Sequence, residues 1–165
     1  MSIKMITRVS AVAAAAVCAL AFSTPANAAT GYKTLLNGRS VKCLAVPHAS
    51  KANGTGLIQW ECSGDSEQQW ALQPVEGGNG DRFLVRNLNS DKCLAIPNGT
   101  TVNGTQAIQW ECSGGPEQLW IYDSIQRLRN VKSDRCLAIP GSSTANGAEA
   151  IQWTCSLNAD QLWRW

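Results

Sequence analysis

The chain carries one arrangement of cysteine and tryptophan three times in succession. Each copy opens with Cys-Leu-Ala and places a second cysteine 19 positions later: Cys43 and Cys62, Cys93 and Cys112, and Cys136 and Cys155. A tryptophan stands two positions before each second cysteine: Trp60, Trp110 and Trp153. A Gln-x-Trp motif ends eight positions after each second cysteine, at Trp70, Trp120 and Trp163. This repetition predicts three similar structural units, and a feature built three times is more typical of a binding surface than of a catalytic centre.

The first 28 residues have the pattern of a secretory signal peptide. Lys4 and Arg8 precede an apolar run over residues 9–22, and Ala26-Asn27-Ala28 is a small-x-small cleavage site. The run is short for a membrane span and no second apolar stretch follows. We therefore expect residues 1–28 to be removed, Cys18 among them, and residues 29–165 to be secreted. The segment is typical of bacterial export.

The mature segment has a balanced charge. Lys4 and Arg8 belong to the signal peptide, and without them the 14 basic residues of the chain fall to the number of its acidic ones, 12. A neutral domain lacks the electrostatic attraction that nucleic acids and anionic membranes require. We expect neither a nucleic-acid partner nor membrane insertion, and we expect a monomer.

The six remaining cysteines predict three disulfides, because export places them in an oxidising compartment. The repeated separation selects one pairing, with a bridge inside each copy: Cys43–Cys62, Cys93–Cys112 and Cys136–Cys155. Each bridge would contribute about 3 kcal/mol by restricting the unfolded chain. No metal or cofactor is predicted, since a short Cys-x-x-Cys is absent and His48 is the single histidine.

Turn signals predict an all-β chain. An Asn-Gly pair stands nine positions before each second cysteine: Asn53-Gly54, Asn103-Gly104 and Asn146-Gly147. Asn-Gly favours tight turns, and the short apolar stretches between turns are typical of strands. We expect three units, at about residues 30–75, 76–122 and 123–165, with a surface loop at 76–81. One unit cannot bury its own apolar face, so the three should close around a shared axis, with the Gln-x-Trp tryptophans in the core.

These features together resemble the ricin B-chain-type lectins, which share a fold with the family-13 carbohydrate-binding modules. The resemblance covers essentially the whole mature chain. Its carriers are the Cys-Leu openings, the Asn-Gly turns, the Trp-x-Cys triplets and the Gln-x-Trp motifs, all in register. It implies a β-trefoil of twelve short strands in three pseudo-equivalent lobes, here called lobes 1, 2 and 3. Each lobe would have four strands, one disulfide and one potential shallow sugar pocket.

The chain departs from the family's sugar pocket at three positions in every lobe. The family usually has Asp two residues after the first cysteine, where this chain has Ala45, Ala95 and Ala138. It often has Gln two residues before the platform aromatic, where this chain has Ile58, Ile108 and Ile151. It tends to have Asn just before Gln-x-Trp, where this chain has Glu67, Glu117 and Asp160. Two features of the family's pocket remain. They are the platform tryptophan (Trp60, Trp110 or Trp153) and the motif glutamine, the first residue of Gln-x-Trp (Gln68, Gln118 or Gln161).

Two interpretations of these departures stay open. In the first, the pocket is rewired, and a carboxylate on the opposite wall replaces the lost acceptor. The predicted sugar-binding residues are then Trp60, Glu67 and Gln68 in lobe 1, Trp110, Glu117 and Gln118 in lobe 2, and Trp153, Asp160 and Gln161 in lobe 3. In the second, the pockets are inactive, the carboxylates are solvated, and a shifted strand register turns the platform tryptophans inward.

No pattern in the sequence indicates a reaction centre. His48 is unrepeated and no Gly-x-Ser-x-Gly is present, which argues against a serine hydrolase triad. The acidic residues of the predicted sugar sites, Glu67, Glu117 and Asp160, are distributed one per lobe, which we expect to be too far apart to flank one glycosidic bond. We therefore predict a secreted, non-catalytic carbohydrate-binding protein with up to three sugar sites and a polysaccharide or glycan partner. The alternative is an exported β-trefoil module that binds or inhibits another protein through its loops, residues 76–81 above all, with inactive sugar pockets.

Overall fold

A computed structural model describes residues 31–76 and 80–165 of the chain. The predicted signal peptide, residues 1–28, lies outside this part, as do residues 77–79 of the predicted surface loop. None of the described residues forms a helix that is long and apolar enough to cross a membrane.

Thirteen short strands form within the described residues, and every pairing between them is antiparallel. Lobe 1 contains β1 (Lys33–Thr34), β2 (Leu36–Asn37), β3 (Cys43–Ala45), β4 (Ile58–Trp60) and β5 (Gln69–Pro74). Lobe 2 contains β6 (Arg82–Asn87), β7 (Cys93–Ala95), β8 (Ile108–Trp110) and β9 (Leu119–Tyr122). Lobe 3 contains β10 (Leu128–Asn130), β11 (Cys136–Ala138), β12 (Ile151–Trp153) and β13 (Trp163–Arg164). Leu35 alone separates β1 from β2, so the two together fill the place that β6 and β10 fill in the other lobes.

Two strand positions from each lobe form a closed barrel. Strand β5 pairs with β1 and β6, β9 pairs with β6 and β10, and β13 pairs with β2. A bridge between Arg127 and Leu162 joins the residues just before β10 and β13 and completes the ring. Closure of this kind leaves the barrel sheet without unpaired edges that could recruit another chain.

The other strands form three hairpins, β3–β4, β7–β8 and β11–β12, which meet at the pseudo-threefold axis. Three backbone hydrogen bonds run in a circle between the lobes there. The Leu57 N–H donates to Ala107 O at 2.8 Å, the Ala107 N–H to Ala150 O at 2.8 Å, and the Ala150 N–H to Leu57 O at 2.9 Å. A barrel with three hairpins in threefold arrangement is a β-trefoil, and the predicted all-β fold is confirmed.

The Gln-x-Trp tryptophans Trp70, Trp120 and Trp163 are fully buried in one shared core, as predicted. In lobe 2, the Nε1–H of Trp120 donates to the carbonyl oxygen of Leu94 at 2.9 Å, so the one polar atom of the indole is satisfied. The equivalent bonds join Trp70 to Leu44 at 2.9 Å and Trp163 to Leu137 at 3.0 Å. The motif that ends each lobe therefore anchors the Cys-Leu strand that opens its first hairpin.

The three disulfides have the pairing that the sequence spacing selects: Cys43–Cys62, Cys93–Cys112 and Cys136–Cys155. In each hairpin the first cysteine lies opposite the platform tryptophan of the second strand, as Cys93 lies opposite Trp110. The second cysteine follows that tryptophan by two residues. Each bridge therefore ties down the chain that leaves the platform, in addition to its effect on the unfolded state.

Candidate functional site

One open pocket lies in each lobe, at the same place in the repeat. In lobe 2 it is bounded by the end of β8 at Trp110, by the turn that follows β7 at Pro97, and by the loop that precedes β9 at Glu117. The pocket volumes are about 430 Å³ in lobe 1, 640 Å³ in lobe 2 and 470 Å³ in lobe 3. Volumes of this size are ordinary for small-molecule sites.

The platform tryptophans lie at the protein surface and line these pockets. The exposed fractions of Trp60, Trp110 and Trp153 are 46%, 45% and 46%. These three side chains repeat the same exposure around the pseudo-threefold axis. The interpretation that they pack inward is wrong.

Strand alternation explains why the tryptophans face outward. In the Ile-Gln-Trp strand of lobe 2, Ile108 and Trp110 both line the pocket, while Gln109 between them points to the interior and is fully buried. Side chains alternate between faces along a strand, so an Ile and a Trp two positions apart share one face. The shifted register that would have turned the platforms inward is therefore absent from all three lobes.

A carboxylate residue lines each pocket: Glu67 in lobe 1, Glu117 in lobe 2 and Asp160 in lobe 3. In lobe 2 the Ile96 N–H donates to the carbonyl oxygen of Glu117 at 3.1 Å. The same oxygen accepts a bond from the side-chain amide of the buried Asn130, in lobe 3, at 2.8 Å. These two bonds hold the backbone of Glu117 at the pocket rim. The equivalent pairs are Val46 and Asn87 on Glu67, and Ile139 and Asn37 on Asp160.

The motif glutamines Gln68, Gln118 and Gln161 line the pockets but are buried, and their amides are engaged within the lobe. In lobe 2 the Gln118 Oε1 accepts from Ser113 N–H at 2.8 Å, and its Nε2 donates to Glu111 O at 2.8 Å. The other two make the same pair of bonds. These hydrogen bonds shape the loop between the second cysteine and the carboxylate, and a contact between the amides and a sugar stays a prediction.

The alanines that stand where the family has Asp also line the pockets, with exposed fractions of 2–3% for Ala45, Ala95 and Ala138. Their methyl groups make this wall apolar. The acceptor that the family has at this position is therefore missing from all three lobes.

The residue after the pocket proline contributes to each pocket and was not singled out as a site residue. His48, Asn98 and Gly141 occupy this position, with φ angles of 55°, 54° and 59°. His48, expected to be a solvated loop residue, is exposed at the rim of the lobe 1 pocket. Alignment of the repeats around Pro47, Pro97 and Pro140 could have placed these residues, because each prolyl turn leads directly into the pocket wall.

The three pockets differ in charge. Lobe 1 adds the exposed Asp65 to Glu67. Lobe 2 adds Lys132, whose side chain packs beside Gly99, where a Cβ would lie 3.2 Å from Lys132 Cγ. In lobe 3 the buried carboxylate of Asp160 accepts a bond from the Ser142 hydroxyl at 2.9 Å. No group of three or more potential metal ligands occurs among the described residues.

Three comparisons place this geometry among known proteins. The family model for the ricin-type β-trefoil lectin domain matches residues 31–163. No curated protein sequence matches the chain. Among solved structures, a designed threefold-symmetric protein, ThreeFoil, is 34% identical with a TM-score of 0.75, over 81% of this chain and 96% of that one.

Two natural proteins are also similar. An exo-β-1,3-galactanase from Clostridium thermocellum is 27% identical with a TM-score of 0.76, and the match covers 82% of this chain but only 30% of the galactanase. The C-terminal half of an earthworm R-type lectin, solved with GalNAc, has the same fold at 17% identity with a TM-score of 0.62, over 81% of this chain and 95% of that one. The chain belongs to the ricin-type β-trefoil lectin domain family.

Proposed function

We propose that this protein is an exported, non-catalytic carbohydrate-binding protein with up to three sugar sites. The observation that carries the proposal is the threefold recurrence of a half-exposed tryptophan beside a carboxylate residue in an open pocket. The indole face can stack on the C–H surface of a pyranose ring. The carboxylate can accept hydrogen bonds from the ring hydroxyls. An apolar plate with a few convergent polar groups is the usual composition of a small-ligand site.

Galactose-containing glycans are the first probes for this protein. The two natural structures described above are a β-1,3-galactanase and a lectin solved with GalNAc. The chain spans 30% of the galactanase, so the activity of that whole enzyme does not extend to it. At Ala45, Ala95 and Ala138 a sugar would meet a methyl group instead of the family's carboxylate acceptor. Each site alone is then weak, with a Kd of about 1 mM, or roughly −4 kcal/mol.

Three weak sites on one rigid domain suit a polymeric ligand. Once one site holds a polysaccharide, the others meet neighbouring sugars at high effective concentration, and overall affinity can rise about 10²- to 10⁴-fold. The balanced charge of the mature segment means that attraction to the polymer would come from the pockets rather than from a charged surface.

Export is supported by the sequence of residues 1–28 and by three disulfides in the folded domain. The absence of catalysis is supported in lobes 2 and 3 by a single pocket carboxylate each, since glycoside hydrolysis ordinarily uses a pair. The lobe 1 pocket has two carboxylate residues, Asp65 and Glu67. An assay for hydrolysis of a bound glycan should therefore include a protein with the lobe 1 platform intact.

Retention of the mature protein on immobilised polysaccharides tests the proposal. The panel contains β-1,3-galactan and xylan, with cellulose and chitin for comparison. We expect retention on at least one polymer, competition by its soluble fragments, and no release of reducing sugar. Retention on none of them, together with capture by a protein partner that depends on the loop at residues 76–81, would favour the protein-binding alternative.

Replacing Glu117 by Gln should weaken sugar binding by lobe 2. A protein in which Trp60 and Trp153 are alanine retains the platform of lobe 2 alone. In this background we expect Glu117→Gln to raise the Kd about tenfold or more, because a hydrogen bond to a charged group contributes about 1.5–3 kcal/mol. Isothermal titration with the retained oligosaccharide measures the change.

Glu76→Gln is the matched control. Glu76 is exposed and lies outside every described pocket, so the same chemical change there should leave the Kd unaltered. Equal affinities for Glu117→Gln and the parent would show that the carboxylate does not contact the sugar.

A further inference from the structure

The platform tryptophan of lobe 2 is bracketed by the Asn-Gly turn of lobe 1. The Gly54 N–H donates to the carbonyl oxygen of Gln109 at 2.9 Å. The Glu111 N–H donates to Oδ1 of Asn53 at 3.0 Å. Gln109 and Glu111 are the residues immediately before and after Trp110. The backbone on both sides of the platform is therefore held by one dipeptide from another lobe.

The same turn also borders the indole ring itself. Gly54 has a φ of +79°, and a Cβ added to it would lie 3.5 Å from Cζ3 of Trp110. Gly54 is among the residues that line the lobe 2 pocket. A glycine suits this position because its backbone is left-handed, and its surface is in van der Waals reach of the ring edge.

The strand in turn holds the loop of lobe 1 through a buried side chain. Gln109 is fully buried, and its Nε2 donates to the carbonyl oxygens of Ser50 at 2.8 Å and Ala52 at 3.0 Å. Its Oε1 accepts from the Ser90 hydroxyl at 2.7 Å. The glutamine of Ile-Gln-Trp thus fixes the loop from which the Asn-Gly turn projects.

The contact is repeated around the ring in one direction. At the platform of lobe 1, the turn comes from lobe 3. The Gly147 N–H donates to Gln59 O at 2.9 Å, and the Glu61 N–H donates to Asn146 Oδ1 at 3.0 Å. A Cβ on Gly147 would lie 3.6 Å from Cζ3 of Trp60. At the platform of lobe 3, the turn comes from lobe 2: the Gly104 N–H donates to Gln152 O at 2.9 Å, and a Cβ on Gly104 would lie 3.7 Å from Cζ3 of Trp153. There the side chain of Asn103 bonds to the Thr154 hydroxyl instead, at 2.9 Å.

We propose that each Asn-Gly turn is the positioning element for the platform tryptophan of the neighbouring lobe: lobe 1 positions Trp110, lobe 2 positions Trp153 and lobe 3 positions Trp60. The consequence for sugar binding rests on the proposed function; the effect on the indole does not. The amide of Asn130, from lobe 3, holds the backbone of Glu117, which also lines the lobe 2 pocket. A lobe 2 site is therefore assembled from all three lobes.

Asn53→Ala tests this inference, because it removes the acceptor for the Glu111 N–H and leaves every pocket-lining side chain in place. Asn146→Ala is its matched counterpart and removes the acceptor for the Glu61 N–H of lobe 1. Each is introduced into a protein with the lobe 2 platform alone (Trp60→Ala and Trp153→Ala) and into one with the lobe 1 platform alone (Trp110→Ala and Trp153→Ala). Binding is measured with β-1,3-galactan oligosaccharides.

We expect Asn53→Ala to weaken binding about three- to tenfold in the lobe 2 protein and to leave the lobe 1 protein unchanged, as the loss of one hydrogen bond predicts. Asn146→Ala should do the reverse. Asn53→Asp keeps an acceptor oxygen and should restore lobe 2 binding. A merely structural role for the turn would weaken both proteins alike.

The indole N–H resonances of ¹⁵N-labelled protein, recorded without sugar, supply a second readout. Asn53→Ala should move the resonance of Trp110 and leave that of Trp60 in place. If Asn53→Ala does not fold, Gly54→Ala, which places a methyl group at the ring edge, is read in the same way. An unmoved Trp110 resonance, or equal shifts of both platforms, overturns the inference. Selective shifts without any binding of β-1,3-galactan count against this sugar as the ligand and leave the positioning role standing.

Discussion

Replacing Trp60, Trp110 and Trp153 together by alanine should abolish retention on the polysaccharide while the domain remains folded. The loss is large because all three platforms disappear at once, and with them the multivalent gain of about 10²- to 10⁴-fold. Folding should survive, since nearly half of each of these side chains is already exposed to water. Affinity electrophoresis in gels containing the polysaccharide measures the loss.

Thermal unfolding of the same triple variant is the control. We expect its midpoint to fall by no more than about 10 °C, because partly exposed side chains contribute little to stability. The single variant Trp110→Ala should retain an intermediate affinity, since two platforms remain. A triple variant that folds and is still retained as strongly as the parent would show that these tryptophans do not contact the sugar.

Replacing the core residue Trp120 by alanine should have the opposite result, a large loss of stability. Trp120 is fully buried, and its removal leaves a cavity that costs about 3–5 kcal/mol. The Leu94 carbonyl also loses the indole N–H that it accepts at 2.9 Å. The free energy of unfolding of natural domains is only about 5–15 kcal/mol, so this variant should be close to unfolded at 37 °C. Urea denaturation followed by circular dichroism measures the change.

Trp110→Ala is the matched comparison, because the same chemical change is made in the same lobe. We expect the free energy of unfolding to fall several times more for Trp120→Ala than for Trp110→Ala. Similar losses for the two variants would mean that the platform is as much a part of the core as the Gln-x-Trp residue, which would contradict the separation of structural and binding tryptophans.

The fold could be predicted from the sequence because its determinants are repeated and local. The separation of Cys93 and Cys112 recurs in every lobe and selects the disulfide pairing that is observed. The Asn-Gly turns and the Gln-x-Trp residues mark where strands end and where the core begins. The break at Leu35 between β1 and β2 could not be foreseen. A leucine is an ordinary strand residue, and the equivalent strands β6 and β10 are continuous.

The platform orientation could be narrowed to two interpretations but not decided. Ile-Gln-Trp is compatible with either face of a strand, and only the folded domain, in which Gln109 is buried and Trp110 is exposed, shows which face is inward. The availability of the Gln118 amide was equally undecidable, because its partners, Ser113 N–H and Glu111 O, become neighbours only when the loop closes.

The contacts between lobes could not be read from the sequence at all. Asn53 and Glu111 are separated by 58 positions, and Asn37 and Asp160 by 123. Within its own repeat none of these residues shows which residue of another lobe it will contact. Their role depends on closure of the three lobes around one axis, which brings the turn of one lobe against the platform of the next.

The most direct test of the central claim, that the three outward tryptophans are sugar platforms, is an NMR titration of the indole N–H groups with soluble oligosaccharides of β-1,3-galactan and xylan. We predict that the resonances of Trp60, Trp110 and Trp153 shift in a saturable way with one of these sugars. Those of the buried Trp70, Trp120 and Trp163, whose N–H groups are bonded to backbone carbonyls, should stay in place. Saturable binding that leaves all three platform resonances unmoved would contradict the account.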